Sequence, residues 1–381
     1  MRSLLFLLVL FYPVAALSQI PINDRIDLIG DTRLLGAWQH GTDRDGVEIN
    51  QQSAFLRLRL GVRYHIHNNL DISARYGMRL SDETRKLSPG LHTTGENQNG
   101  LLPGEGAFDI ASLRYRPTSR LSIEAGRFQT SSVIWSVPGA IQYSLFRFEG
   151  NGPNVHWVDG VQLHYNFDGG WHSNLVMQWH HRNAPSNIHR YPIHIAETTP
   201  HLSWYNAVHR IRPDERLRLL TLNFLYIPNC IVMNTEDRTS GYITASVKTK
   251  LGWNLSGQAQ LLWENEIGYN FNRPDNIAIG LPGENGDKAR ATALTSTLNY
   301  VDFAPDHSIG FLAAFVPMSF AISPFLDNNL IQYEIRHVWD ATSRIHVHSF
   351  IRYQRDLEKT VGATQRQSRL FPVMWITYFF R

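Results

Sequence analysis

The sequence has very little cysteine and very little lysine. Its single cysteine, Cys230, has no partner in the chain, so no intramolecular disulfide stabilises the fold. Lysine occurs only at positions 86, 248, 250, 288 and 359, and arginine supplies the rest of the positive charge in a chain of net charge +3. Arginine keeps its charge in any environment and presents a fixed fork of donors. This composition suits a charged wall around a confined aqueous space.

Long hydrophobic runs are absent after the first residues of the chain. Charged or strongly polar residues interrupt each later apolar run, which excludes an inner-membrane protein built from helices of roughly 20 apolar residues. The chain begins with a positive charge at Arg2, an apolar run from Leu4 to Leu17 and a small residue at Ser18. This pattern predicts a cleaved signal peptide over residues 1–18 rather than a membrane anchor. Residues 19–381 are expected to form one continuous domain.

Motifs for catalysis and for nucleotide binding are also missing. The chain has neither a Gly-x-Ser-x-Gly elbow nor a glycine-rich phosphate loop. His346 and His348 share one face of a strand, but no carboxylate or cysteine stands at a ligand spacing beside them. The basic residues alternate along strands instead of forming an exposed patch for nucleic acid. We therefore predict no catalytic residue, no metal, no cofactor and no nucleic-acid partner.

Alternation of apolar and polar residues with a period of two runs along the whole chain. Between Phe55 and Tyr64 the even positions are apolar, whereas Arg57, Arg59 and Arg63 face the other way. A soluble sandwich would bury the apolar face against a second sheet, whereas a membrane barrel turns it to lipid and keeps the polar face in the lumen.

We predict an all-β fold, a transmembrane antiparallel up-and-down β-barrel of about 16 strands, with 14 or 18 as alternatives. The expected strands lie near 26–39, 53–66, 69–81, 107–116, 119–128, 154–167, 170–182, 200–211, 216–228, 241–251, 254–267, 288–303, 306–317, 329–340, 343–355 and 366–380.

The connections are predicted to alternate between short and long, which places both chain ends in the periplasm. Turn residues mark the short ones at 67–69, 117–118, 168–169, 213–214, 252–253, 305–306 and 340–342. Long polar loops are expected near 40–52, 82–106, 129–153, 183–199, 229–240, 268–287, 318–328 and 356–365.

With the apolar faces assigned to lipid, eight arginines fall on the inner faces of neighbouring strands and form one basic wall. They are Arg57, Arg59, Arg63, Arg75, Arg79, Arg114, Arg116 and Arg120. Strands further round contribute Glu264 and Glu266, Lys248 and Lys250, and Glu334 with Arg336. A charged constriction between low-dielectric walls concentrates counter-ions, so the wall predicts anion preference. The alternative is that these arginines simply pair with loop carboxylates.

Aromatic residues are predicted to form the interfacial girdles and the assembly signal. The girdle candidates are Trp171, Trp179, Trp204, Tyr205, Trp263, Trp339, Trp375 and Tyr378. Met374, Ile376, Tyr378 and Phe380 alternate toward the C-terminus. This ending resembles the signal read by the outer-membrane barrel assembly machinery, although Arg381 follows the last aromatic residue.

Several short segments resemble alginate-export-like and related porin families. They are Ala54 to Tyr64 with its repeated Leu-Arg, Leu113-Arg114-Tyr115, Gly126-Arg127-Phe128 and Asp159 to Leu163. The resemblance implies an arginine-lined barrel, and the best-studied relatives carry an anionic polysaccharide outward. In general porins the third external loop narrows the pore. By position, the aromatic-rich loop 129–153 corresponds to that loop, which makes Arg147 and Glu149 constriction candidates.

The sequence thus predicts an outer-membrane porin, a passive diffusion channel for small hydrophilic solutes with anion preference. The alternatives are a specific channel or exporter for acidic sugars or polysaccharide, and a barrel enzyme or adhesin. The expected partners are outer-membrane lipids, small hydrophilic or anionic solutes and the barrel assembly machinery. A homotrimer is left open.

Overall fold

The computed structural model describes residues 19–81, 88–89, 107–128, 158–181, 200–232, 239–320 and 328–379. Strands dominate this part of the chain, with single-turn 3-10 helices at Asp168–Gly170 and Ile277–Ile279. None of the helices in these segments is long and apolar enough to cross a membrane.

Sixteen antiparallel strands form a closed ring, and two short strands complete the 18-stranded sheet. The ring strands are β1 Ile26–Thr42, β2 Glu48–His67, β3 Leu70–Ser81, β4 Ala107–Tyr115, β5 Leu121–Phe128, β6 Val158–Asn166, β7 Trp171–His181, β8 Pro200–Ile211, β9 Leu217–Val232, β10 Thr239–Asn254, β11 Gln260–Asn270, β12 Thr292–Ala304, β13 His307–Val316, β14 Leu330–Trp339, β15 Ile345–Asp356 and β16 Ser368–Phe379. The short strands are Gln19–Asn23 and Ser88–Pro89. The predicted 16-stranded barrel is confirmed.

The ring closes between the last strand and the first. β16 pairs with β1 from Ser368 opposite Thr42 to Phe379 opposite Asp31. Gln19–Asn23 then pairs with the beginning of β1, beyond the end of β16. Because the ring has no free edge along the paired length, it leaves no row of unpaired backbone groups there to meet lipid.

The two faces of the barrel wall have the polarity opposite to that of a soluble protein. Many buried strand residues are polar or charged, among them Asp31, Asp109, Asn174, Gln332 and Glu334. Many exposed strand residues are large and apolar, among them Leu60, Ile267, Leu298, Ile335 and Ile351. Since alternate residues of a strand point to opposite faces, the period-two pattern produces an apolar exterior around a polar interior.

The first hairpin is longer than predicted, and the long loop expected at 40–52 is wrong. β1 and β2 continue to pair up to Thr42 opposite Glu48, leaving only 43–47 as the connection. The Asp43 carboxylate accepts hydrogen bonds from the backbone N–H groups of Asp45 and Val47, at 2.9 and 2.8 Å. These hydrogen bonds to the Asp43 side chain stabilise the turn that closes the hairpin, within the polar segment that was predicted to be a loop.

A second difference concerns Gly252, which was predicted to lie in a turn. β10 instead continues to Asn254, and the chain reverses at 255–259. A Cβ atom at position 252 would collide with the side chain of Arg218. Gly252 therefore allows the close approach of an arginine side chain to the strand and does not reverse the chain.

The connections at the two ends of the barrel differ in length. At the end of the barrel where β1 begins and β16 ends, the connections between ring strands are 68–69, 116–120, 167–170, 212–216, 255–259, 305–306 and 340–344. At the opposite end, 271–291 and 357–367 are long, whereas 43–47 and 233–238 are short. The predicted loop at 229–240 is therefore also too long, because β9 and β10 extend into it. The predicted alternation of short and long connections fails at these two hairpins.

Candidate functional site: the charged lumen

Four arginines and two aspartates meet on the inner face of β1 to β4. Asp31 accepts hydrogen bonds from Arg57 Nη2 and Arg59 Nε, both at 2.8 Å. Asp109 accepts from Arg75 Nε and Nη2, at 2.9 and 2.8 Å, and from Arg59 Nη1 at 3.3 Å. Arg59 thus joins two carboxylates, and each carboxylate is shared between two arginines. We call these residues, with Arg33, the β1–β4 arginine cluster.

The β1–β4 arginine cluster retains excess positive charge. Arg33 lies opposite Arg57 in the register of β1 and β2, so these two arginines are cross-strand neighbours on the inner face. Arg33 Nε donates to Thr377 Oγ1 at 2.8 Å instead of to a carboxylate. The cluster contains four positive charges, on Arg33, Arg57, Arg59 and Arg75, and two negative charges, on Asp31 and Asp109. Arg79 lies opposite Arg57 in the backbone register, on the other side.

Two further predicted arginines pair with carboxylates next to this cluster. Arg114 Nη2 donates to Glu124 Oε2 at 2.8 Å, and Glu124 also accepts from Ser112 and Gln162 at 2.7 and 3.1 Å. Arg116 forms an ion pair with Asp71. The carboxylates that bind Arg114 and Arg116 belong to neighbouring strands. The alternative considered from the sequence was that these arginines pair with carboxylates of the loops.

Arg63 and Arg120 have different environments. Arg63 Nε donates to Ser73 Oγ at a distance of 3.4 Å, on the inner face of β2. Arg120 precedes β5 and lies in an exposed turn, where it pairs with Asp168 at 2.9 Å. Arg120 was predicted to belong to the basic wall, but β5 begins one residue later than that assignment requires.

A second arginine group lies on the inner face of β14 to β16. Glu334 accepts from Arg336 Nη2 at 2.8 Å and from Arg352 Nε at 2.7 Å. The Arg336 guanidinium lies over the rings of Phe350 and Trp375, with distances to the ring centroids of 4.6 and 5.1 Å. Here two arginines again share one carboxylate. The faces of the Phe350 and Trp375 rings stabilise the Arg336 cation.

Trp375 connects the two arginine groups. The Arg33 guanidinium lies 5.3 Å from the centroid of the indole, which also faces Arg336. Arg33 was not among the predicted wall residues, and Trp375 was predicted to lie in the girdle. The signal was present, because Arg33 alternates with the apolar Leu34 and Trp375 alternates with the outward-facing Met374.

Five of the eight girdle candidates divide into two groups. Trp204, Trp263 and Trp339 are exposed on the apolar exterior, as a girdle requires. Tyr205 is buried on the inner face, and Trp375 faces the lumenal arginines. These two assignments are wrong because adjacent residues of a strand cannot share a face.

The far wall of the barrel carries lysines. Lys248 and Lys250 of β10 pair with Glu264 of β11, at 3.5 and 2.6 Å. Glu266 accepts a hydrogen bond from Ser246 Oγ at 2.8 Å. The predicted constriction residues Arg147 and Glu149 lie outside the described residues, as does the rest of the loop 129–153.

The barrel is similar to solved structures of outer-membrane porins. Pseudomonas putida OprB at high pH matches with a TM-score of 0.64 and 10% identity, over 96% of this chain and 99% of that chain. Salmonella typhi OmpF in complex with daunomycin matches with a TM-score of 0.55 and 12% identity, over 94% and 100%. The outer membrane channel DcaP of Acinetobacter baumannii matches with a TM-score of 0.52 and 11% identity, over 95% and 100%. The chain has the porin fold.

No family model and no curated protein matches the sequence. The resemblance to alginate-export-like porins therefore stays a hypothesis. The similarity covers nearly the whole of each porin chain at very low identity, so it establishes the architecture and leaves the solute to be argued from the lumen.

Proposed function

We propose that this protein is a porin of the bacterial outer membrane, a passive diffusion channel for small hydrophilic solutes that prefers anions. The observation that carries the proposal is the inverted polarity of the wall, with apolar residues outside and charged residues inside. Charged side chains on a lipid-facing barrel surface would cost roughly 2–4 kcal/mol each near the midplane, so the charged face must border water.

The proposed anion preference rests on how the arginines are paired. Asp31, Asp109 and Glu334 are each shared by two arginines, and Arg33 donates to a hydroxyl group. Sharing fixes the guanidinium groups in place and cancels only half of their charge. A wall with fixed excess positive charge raises the local concentration of anions.

We further propose that residues 1–18 are the signal peptide and that both ends of the mature chain lie in the periplasm. In support, both ends of the described ring lie at the same end of the barrel, and all the described connections at that end are short. Bacterial outer-membrane barrels have short periplasmic turns and longer extracellular loops. Membrane lipids, the barrel assembly machinery and a homotrimeric assembly remain proposed partners.

Planar bilayer recording tests the channel proposal. The mature protein, refolded in detergent, is expected to give discrete conductance steps and a reversal potential of anion-selective sign under a salt gradient. The triple variant Arg57→Ser, Arg59→Ser, Arg63→Ser removes three positive charges from the inner face and should lower the anion preference. Arg120→Ser is the matched control, because Arg120 lies in an exposed turn and pairs with Asp168.

Two results would overturn parts of this proposal. A correctly folded barrel that gives no conductance would reject the channel and direct attention to enzymatic or adhesive activity. A conducting barrel whose reversal potential is the same in wild type and the triple variant would keep the channel and reject the arginine wall as its selectivity element.

A further inference from the structure

A cavity of about 560 Å³ lies against the inner face of β2 to β8. Three of the residues that line it are accessible arginines: Arg63 of β2, Arg114 of β4 and Arg116 directly after β4. The exposed fraction of the side chain is 34% for Arg114 and 41% for Arg116, and Arg63 is half-buried. The cavity thus presents three guanidinium groups to a solute that enters it.

Two of these arginines are oriented by carboxylates of neighbouring strands. Arg114 donates to Glu124 Oε2 through Nε and Nη2, at 3.3 and 2.8 Å, and Arg116 donates to Asp71 through Nη2. A guanidinium group has five N–H donors, so the Nη1 groups of Arg114 and Arg116 stay available for another acceptor. Arg75 also lines the cavity but is buried, and it is not counted with these donors.

Arg63 differs from the other two because it has no carboxylate partner. Its Nε donates to Ser73 Oγ at 3.4 Å, and in the part of the chain that the structure describes no carboxylate oxygen lies within 4.0 Å of its guanidinium group. Both Nη groups of Arg63 are therefore free to bind an anion as a two-pronged fork. The Ser122 hydroxyl of β5 lines the same cavity and has no hydrogen-bond partner within the described segments.

These donors belong to different strands, which decides the shape of anion that they fit. A carboxylate has two oxygens in one plane, and a single guanidinium fork satisfies both of them. A chloride ion is one atom and cannot occupy several forks at once. A phosphomonoester carries three strong acceptor oxygens, arranged tetrahedrally, and a charge of about −1.5 to −2 at pH 7. Its oxygens can accept from Arg63, Arg114 and Arg116 together.

We propose that this cavity is a saturable site for a phosphoryl group, carried into the lumen as inorganic phosphate or as a small phosphomonoester. Arg63 binds the group through both Nη atoms, and the Nη1 groups of Arg114 and Arg116 bind its remaining oxygens. The cavity volume lies in the range of small-molecule sites, roughly 300–1,000 Å³, so the organic part of an ester also has room. The inference rests on the proposed channel function and deepens it, since the field of the wall attracts every anion whereas this site selects one class.

Single-channel recording of the refolded mature barrel in 1 M potassium chloride is the first test, with inorganic phosphate, glycerol phosphate and acetate as probes. At this salt concentration the screening length is about 3 Å, so distant charges contribute little and direct contacts dominate. Phosphate and glycerol phosphate are expected to block the current at concentrations at least about tenfold lower than acetate, with a block that saturates. Equal affinity for the two phosphate probes would assign the site to the phosphoryl group alone, and tighter binding of glycerol phosphate would assign it to the ester.

Two variants of Arg63 separate binding at the site from the general field. Arg63→Lys keeps the charge and loses the fork, so it should leave the reversal potential unchanged and weaken the phosphate block about tenfold, the effect of one charge-assisted hydrogen bond. Arg63→Gln should weaken the block at least as much and also lower the anion preference. Neither variant breaks an ion pair of the described residues, so both are expected to fold. Arg33→Gln is the matched control, because Arg33 is a lumenal arginine outside the cavity lining.

Calorimetric titration of the folded barrel in detergent with glycerol phosphate gives a second measurement that needs no conductance. Binding that is weakened in both Arg63 variants and kept in Arg33→Gln would support the site even if the barrel does not conduct. A conducting barrel that acetate blocks as strongly as phosphate would overturn the recognition of the phosphoryl group and leave the channel intact. Equal binding in wild type, Arg63→Lys and Arg63→Gln would overturn the site.

Discussion

Neutralising one carboxylate and one arginine on the same strand should move the ion selectivity of the channel in opposite directions. Asp31 and Arg33 are separated by one residue on the inner face of β1. Asp31 is shared by Arg57 and Arg59, whereas Arg33 donates to Thr377. Asp31→Asn therefore raises the lumenal charge by one with almost no change in side-chain volume, and Arg33→Gln lowers the charge by one and shortens the side chain.

The expected size of the shift follows from Coulomb's law. A unit charge about 4 Å from a passing ion changes the energy of that ion by about 1 kcal/mol in water, which is a factor of about five in local concentration. Because the same charge favours anions and disfavours cations by this factor, Asp31→Asn should raise the anion-to-cation permeability ratio by up to about 25-fold at low salt, and Arg33→Gln should lower it similarly. The screening length falls from about 10 Å at 0.1 M salt to about 3 Å at 1 M, so both shifts should shrink at high salt.

The two variants should also differ in stability. Asp31→Asn removes the shared partner of Arg57 and of the buried Arg59, and removing one partner of a buried ion pair costs about 3–5 kcal/mol. Arg33→Gln loses one hydrogen bond, about 1 kcal/mol, and a contact with the Trp375 ring of about 0.5–1 kcal/mol. Urea unfolding followed by tryptophan fluorescence measures this difference. Reversal potentials that shift in the same direction in both conducting variants would refute the electrostatic reasoning.

Two more predictions concern the fold and its orientation. Gly252→Ala should destabilise the barrel by about 1–2 kcal/mol in the same urea assay, because the added Cβ displaces Arg218 from its hydrogen bonds to β10 and β11; an unchanged unfolding midpoint would contradict this. In intact cells expressing single-cysteine variants on a Cys-free background, a membrane-impermeant maleimide should label Glu284→Cys in a long connection and not Asp214→Cys in a short turn. Labelling of Asp214→Cys alone would reverse the proposed orientation.

The strands and their faces could be predicted from the sequence because both depend on a local rule. Alternation places Leu60 outside and Arg59 inside whatever the partner strand is, and the structure has these faces. The same rule identifies Trp375 as lumenal once Met374 is assigned to the exterior. The wrong girdle assignment came from residue type, since tryptophan at a strand end has a strong interfacial preference in membrane barrels.

The pairing of the arginines could not be predicted, because it depends on contacts between distant parts of the chain. Arg59 binds Asp31 on one neighbouring strand and reaches Asp109 across β3 on the other side, 50 positions along the chain. Periodicity assigns each residue to a face but gives neither the strand register nor the reach of a guanidinium group. The tight hairpin at 43–47 was missed for a related reason, since its polar strand ends lie beyond the apolar band that makes alternation visible.

The shared carboxylates reconcile two requirements that a charged lumen places on its wall. Arginines without partners would repel one another and sample many rotamers, which would blur the field along the channel. One carboxylate for each arginine would hold them still but cancel their charge. Asp31 and Glu334 each hold two arginines, so the arginines of these two groups keep fixed positions and half of their positive charge. Arg33, held between a hydroxyl group and an indole face, adds a cation without adding an anion, which makes it a position where a single neutral substitution alters the field at a small cost in stability.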